Sequence, residues 1–269
     1  MPIQKANDVE LFYETNGDGY PLLMVHGSWT DRSGWMFVIP GLAQSFRIIT
    51  YDRRGHGDSE KPGDGTRRDD EDDLAALIEA LDIAPCHIAA NSFGSSIALS
   101  MAARRSDLIL SLVAHEPPLM GIVDDPDQVR LIEETNTKVE AVLDEIRAGQ
   151  TDAAAERFVE EVALGPGTWR QLPGPVQERF KANAHTFLNE SADEGADTID
   201  LDALSSYSGP VLLSQGDQSP PFYAVIIDKL QRSLKKAQRA TYEGAGHVPQ
   251  MSHPDLYVER VTRFIQSAV

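Results

Sequence analysis

Three observations in the sequence predict an α/β fold: a mostly parallel central sheet, helices on both faces and an inserted helical lid. Short apolar runs of strand length alternate with helical patterns through the first 118 residues. The alternation then stops, and only helical patterns follow until about residue 206. It resumes from residue 207 to the C-terminus. Strands separated by helices pair in parallel, because the connection is long enough to return the chain to the same end of the sheet. The expected organisation is therefore a core of residues 1–118 and 207–269 with residues 119–206 inserted as a lid.

In order, an N-terminal hairpin around Val9 to Asn16 leads into strands near Leu22 to Val25, Arg47 to Tyr51, His87 to Ala90 and Ile109 to Ala114. The acidic run Asp69-Asp70-Glu71-Asp72-Asp73 precedes Leu74 to Ile78 and reads as a solvated helix start, where carboxylates meet the positive end of the helix dipole. In the insertion, Val129 to Ala148, Thr151 to Leu164 and Pro173 to Phe187 read as helices. The sheet resumes at Gly209 to Ser214, followed by a helix from Phe222 to Leu234, a strand from Gln238 to Tyr242 and a last helix from Pro254 to Ile265.

The motifs fall at the ends of these strands. Ala90-Asn91-Ser92-Phe93-Gly94 follows an apolar run and reads as a nucleophile elbow, a strained strand-to-helix turn that tolerates only small residues two places either side of the serine. Pro21 to Val25 ends in His26-Gly27-Ser28, which leaves backbone N–H groups of Ser28 and Phe93 free to hold a developing oxyanion, with Gly27 beside them. Ile48 to Tyr51 runs into the Gly-rich loop Asp52-Arg53-Arg54-Gly55-His56-Gly57. Gly244-Ala245-Gly246-His247 places a histidine on a loop near the C-terminus, where a general base is expected.

Taken together, the chain resembles the α/β-hydrolase family over nearly its whole length, with four motifs in order. The resemblance implies a Ser92-His247 nucleophile and base and an acid to orient the histidine. Most members carry that acid after the seventh strand as Gly-x-x-Asp. Here the segment reads Gly216-Asp217-Gln218-Ser219, and a hydroxyl at Ser219 cannot stabilise an imidazolium as a carboxylate does. Asp217 lies two residues early, a displacement of roughly 7 Å along an extended chain. The better candidate is Glu116, in His115-Glu116-Pro117-Pro118 after the Ile109 to Ala114 strand, which should emerge beside Ser92 on one rim of the sheet. This segment resembles the acid-after-strand-six variant of the family, including fungal zearalenone lactonases, where a His-Glu-x-Pro segment supplies the acid. Asp217 is the fallback.

The resemblance implies hydrolysis of a small, largely apolar carboxylic ester or lactone through an acyl-enzyme, without cofactor or metal. The same triad also serves carbon–carbon bond hydrolases, a cofactor-free haloperoxidase or perhydrolase activity is conceivable, and the missing acid at Ser219 leaves a non-catalytic ligand-binding protein as a further alternative. A serine at the elbow disfavours epoxide hydrolase and haloalkane dehalogenase chemistry, which need a carboxylate nucleophile there. Substrate contacts are expected from Trp169, on a Gly- and Pro-rich loop, from Trp29 near the oxyanion loop, and from Met120. Trp35 is a weaker candidate. His26, Arg53, Arg54 and His56 read as loop fasteners, and His115 as a packing or hydrogen-bonding residue.

Composition narrows the partners. A formal net charge of −18 repels nucleic acid and anionic membranes. No apolar run of about 20 residues and no leader pattern is seen, and the single Cys86 cannot form an intramolecular disulfide, so a cytoplasmic monomer or homodimer acting on a small molecule is expected.

Overall fold

The computed structural model describes residues 2–268. Eight strands form one sheet: β1 Ile3–Ala6, β2 Val9–Asn16, β3 Tyr20–Val25, β4 Phe46–Tyr51, β5 Cys86–Asn91, β6 Ile109–His115, β7 Val211–Gly216 and β8 Ala237–Tyr242. Their spatial order is β1-β2-β4-β3-β5-β6-β7-β8. The β1–β2 hairpin is antiparallel and β2 pairs antiparallel with β4, while every later pairing is parallel. The helices are α1 Ile39–Leu42, α2 Arg67–Ala80, α3 Phe93–Arg104, α4 Pro126–Arg147, α5 Thr151–Arg157, α6 Gly174–Asn183, α7 Thr186–Ala192, α8 Leu201–Leu204, α9 Phe222–Ser233, α10 Pro249–Ser252 and α11 Pro254–Ser267. Among the described residues, no helix is long and apolar enough to cross a membrane.

Side chains alternate across the pleat, so each strand feeds two cores. Leu23, Val25, Ile49, Ile88, Ala90, Leu112 and Leu213 face α2, α3 and α9. Leu22, Met24, Ile48, Ala89, Val113 and Leu212 face Leu42 and the Tyr257, Val261 and Phe264 stripe of α11. Because both faces are covered, the central strands are near-continuous apolar runs. Full burial of each Leu, Val or Ile contributes about 1.5–3 kcal/mol.

The chain between β6 and β7 is helical, as its sequence pattern predicts, with two differences. The helix expected over Thr151 to Leu164 changes character at Phe158, where Phe158–Ala163 adopts wider π-helical turns. The helix expected over Pro173 to Phe187 is broken into α6 and α7. These elements share a third apolar cluster, in which Trp29 of the core packs with Val142, Leu143, Phe158 and Trp169 of the insertion.

The acidic run on α2 departs further from expectation. Thr66 and Asp69 form a capping box at the helix start, but Asp70, Glu71 and Asp73 are buried rather than solvated. They face arginines: Asp70 accepts from Arg53, Asp73 from Arg54 and Glu71 from Arg67 and Arg104. Helical spacing turns Asp70 and Asp73 inward against the Arg53-Arg54 loop and Glu71 toward Arg67 and Arg104, while Asp72 is less buried.

Candidate active site

Ser92 is the turn between β5 and α3. Its backbone lies at φ 55° and ψ −128°, a strained conformation for a residue with a side chain. The strain is held by close packing on both sides. A Cβ at Gly94 would run into the carbonyl oxygens of Val25 and His26, and one at Gly27 would lie 2.9 Å from the Ser92 Cβ. The Ser92 N–H donates to the His115 carbonyl at 2.9 Å, which ties the elbow to β6.

The register of β5 and β6 pairs Asn91 with His115. The next residues, Ser92 and Glu116, therefore leave neighbouring strands at the same rim. Glu116 is buried and also has a left-handed backbone, at φ 43°. Both carboxylate oxygens are used: Oε1 accepts from the Gly216 N–H at 2.7 Å, and Oε2 from His247 Nδ1 at 2.6 Å. Burial opposes ionisation, but His115 and the His247 hydrogen bond outweigh it and bring the carboxyl down to about 2. Burial likewise brings His115 down to about 4, so at neutral pH it is uncharged. The ionised Glu116 then rests on the His247 and Gly216 donors. With Nδ1–H committed to Glu116, His247 presents a basic Nε2.

The loop bearing His247 is fixed from three directions. Asn91 Nδ2 donates to the His247 carbonyl at 3.0 Å, and Gln250 Nε2 donates to Asn91 Oδ1 at 3.2 Å. The Tyr223 ring stacks on the imidazole at 5.4 Å between centroids. Asp217, the fallback acid, is exposed and caps this loop instead, accepting the Gly244 N–H at 2.8 Å. The Ser219 hydroxyl is buried beside Glu116 and favours its ionised form, though it makes no hydrogen bond of normal geometry.

On the opposite side, His26 fixes the loop that carries Gly27 and Ser28. Its Nε2 accepts the Arg53 N–H at 3.0 Å, so Nδ1 carries the proton and donates to the Gly27 carbonyl at 2.8 Å. Burial drives this imidazole down to about 3 and keeps it neutral. The Phe93 N–H, at the first turn of α3, has no intrahelical acceptor. The Ser28 N–H has none among the described residues. Ser28, Ser92, Phe93 and His247 all line one cavity of about 420 Å³ between sheet and insertion. A second space of about 70 Å³ adjoins it and shares Ser28, Ser92 and His247. No hydrogen bond joins Ser92 to His247 in this structure, and contacts of this kind commonly tighten only around substrate.

Residues 22–260 match the Alpha/beta hydrolase family. The chain belongs to this family. A non-heme chloroperoxidase of Streptomyces lividans is 29% identical, covering 98% of this chain and 99% of its own. An α/β hydrolase from Sphaerobacter thermophilus superposes with a TM-score of 0.80 at 28% identity, covering 98% of this chain and 100% of that one. The enol-lactonase of Burkholderia xenovorans gives a TM-score of 0.79 at 20% identity, covering 98% and 100% of the two chains. A thermophilic esterase from Thermogutta terrifontis gives 0.77 at 24%, covering 97% and 94%. These last two likenesses show the shared α/β-hydrolase fold.

Two expected substrate contacts are corrected. Trp169 is 8% exposed and packs in the third cluster rather than standing on an open loop. Glu160 folds back to bind its N–H at 2.7 Å, and this closes the Gly-Pro loop onto the insertion. Trp29 is fully buried, stacked on Phe158 at 4.5 Å. Neither lines the cavities of this α/β hydrolase, and Trp35 belongs to the core behind them. Met120 does line the larger one.

Arg53, Arg54 and His56 fasten loops as expected. Arg53 joins the core to the insertion, bonded to Asp70 of α2 at 3.2 Å and to Glu190 of α7. His56 bonds the Arg54 carbonyl and Thr186 of α7. The sequence reading missed Glu190 and Tyr223, both of which line the larger cavity. A buried arginine needs carboxylates, and that was the one available signal for Glu190. No local pattern identifies a partner 137 positions away.

Proposed function

We propose that this protein is a serine hydrolase that cleaves a carboxylic ester or lactone of a small, largely apolar substrate. In this reading Ser92 is the nucleophile, His247 the base and Glu116 the acid that orients it. The observation that carries the reading is the pairing of the buried Glu116 carboxylate with His247 Nδ1 at 2.6 Å, on the wall of the cavity that also holds the strained Ser92.

His247 Nε2 removes the Ser92 hydroxyl proton as the oxygen attacks the carbonyl carbon. The Ser28 and Phe93 N–H groups hold the oxyanion of the tetrahedral intermediate. Collapse expels the alkoxide, which takes the proton from His247, and leaves an acyl-serine. Water, deprotonated by His247, then attacks the acyl carbon and releases the acid and free Ser92. In a lactone the leaving oxygen stays tethered to the acyl group, so one hydroxy acid is the product. The insertion serves as the lid that excludes bulk water from these steps, with Pro118, Met120 and Phe187 forming apolar walls.

The test is turnover of a series of p-nitrophenyl acyl esters and simple lactones by the full chain and by Ser92→Ala. Hydrolysis by the wild type alone supports the reading. Equal rates for both proteins, or none for either, contradict it. The full-length likeness to a protein named a chloroperoxidase supports a second acceptor at the same acyl-enzyme. If hydrogen peroxide replaces water, a peroxy acid forms in place of the acid, and assaying for it during ester turnover reads this reaction directly.

A further inference from the structure

The two spaces flanking Ser92 differ in charge. The smaller is lined by apolar, hydroxyl and amide side chains with His247, has no carboxylate, and its single arginine, Arg179, is paired with Asp31 at 2.5 Å. The larger has five carboxylates in its wall, Glu140, Glu190, Asp193, Glu194 and Asp197, and no lysine or arginine. Glu194 and Asp197 are exposed and have no ion pair among the described residues. Exposed carboxylates alone describe a solvated rim, and Glu190 is the observation that goes further.

Glu190 is 8% exposed, projects from α7 to the wall of the larger cavity and is spent on only one side. Its Oε1 accepts from Arg53, while its Oε2 is buried without a hydrogen-bond partner. Burial raises the Glu190 carboxyl, Arg53 and the nearby Ser28 hydroxyl oppose that shift without reversing it, and Ser28 makes no bond of normal geometry. A buried acceptor left open is unfavourable, more so for a charged group. Arg53 is shared, because it also bonds Asp70, and burial raises both carboxyls. Phe187, Phe222 and Tyr223 are among the remaining lining residues, and aromatic rings attract cations.

Building on the ester or lactone reading above, we propose that the larger cavity receives a substrate half bearing a cationic ammonium group, and that Glu190 is the residue that selects it. The cation supplies a partner for the Glu190 oxygen that Arg53 leaves open. The acidic rim raises its local concentration at the mouth, and the aromatic rings accept its alkyl surface. A carboxylate-bearing substrate meets repulsion at each of these points. Apolar shape therefore sets what fits, and charge sets which fitting substrates are preferred.

The experiment compares three p-nitrophenyl esters of equal chain length on the full chain. One ends in trimethylammonium, a permanent cation that cannot attack its own ester, one in the isosteric tert-butyl group, and one in a carboxylate. Wild type is expected to favour the cation over its isostere by about tenfold in kcat/KM, the ratio given by about 1.4 kcal/mol. The carboxylate ester should fall below both. Glu190→Gln should bring the cation-to-isostere ratio to about one. Should that buried change prevent folding, Glu194→Gln combined with Asp197→Asn alters only exposed groups. That pair should lower the ratio by about twofold and weaken its dependence on salt. Equal or faster turnover of the tert-butyl ester by wild type overturns the inference and leaves the hydrolase reading intact. Turnover of none of the three overturns both.

Discussion

At Glu116, burial and ionisation pull in opposite directions, and the hydrogen bonds decide. An uncompensated carboxylate in a fully buried site would hold its proton, yet two donors with 2.6 and 2.7 Å contacts keep this one charged. Removing the charge while keeping the shape should therefore be severe. Glu116→Gln is expected to lower kcat on an ester by about 10²–10⁴, because the amide favours the wrong tautomer of His247. Asp217→Asn, in the loop cap, is expected to change kcat by less than about threefold, as Asn retains an acceptor for the Gly244 N–H. Comparable losses in both variants would contradict the assignment.

A second residue prediction concerns Asp70. Burial raises its carboxyl from 3.8 to about 7 even though Arg53 opposes the shift. The folded state then binds this proton more tightly than the unfolded chain, so stability from this site is present at low pH and declines as pH rises through that window. Glu190 is also raised by burial and acts in the same direction. Urea unfolding midpoints measured across the window should fall less steeply in Asp70→Asn than in wild type, and an unchanged slope would refute the shift. At this scale the turn at Ser92, the late His247 and the strand-end Glu116 were legible as positions, because small residues, Gly-Ala-Gly-His and His-Glu-Pro-Pro are local patterns. Asp70 was misread as solvated because only its pairing with a loop 17 positions earlier puts it inside.

The element that positions the chemistry is α3, whose first turn lies so close to β3 that residue 94 has no space for a side chain. Gly94→Ala is expected to cost about 1–3 kcal/mol, as overpacking does, and to lower kcat by displacing the His26 carbonyl beside Ser28. A urea midpoint and a kcat close to wild type would show that this contact is not tight. The strands were readable as elements because both faces of the sheet are covered, which makes each an unbroken apolar run. The helices of the insertion were readable in kind but not in extent. Hydrophobic periodicity continues through Phe158 and through Ala184, whereas the backbone widens at the first and breaks at the second. Trp169 was misplaced for the same reason, since Gly and Pro around a ring signal a loop without showing that Glu160 folds it shut.

Across the whole molecule, one rim of the sheet gathers contributions from distant parts of the chain. Ser28 follows β3, Ser92 follows β5, Glu116 follows β6, and His247 follows β8. The insertion closes over that rim and is anchored by Arg53 to Glu190 and by Asn183, which donates to the Thr30 carbonyl at 3.1 Å. A net charge of −18 surrounds this site, and the acidic wall of the larger cavity brings the same sign inside it. The alternation of strand and helix made the sheet, the insertion and the shared rim foreseeable. The charge of the cavity was not, because its carboxylates come from α4, α7 and the segment after it and converge only in the fold. The central claim is that Ser92 is an activated nucleophile, and intact-mass analysis after incubation with a small fluorophosphonate tests it most directly. A single adduct is expected on the wild-type chain and none on Ser92→Ala. An unmodified wild type, or the same adduct on both proteins, would contradict it.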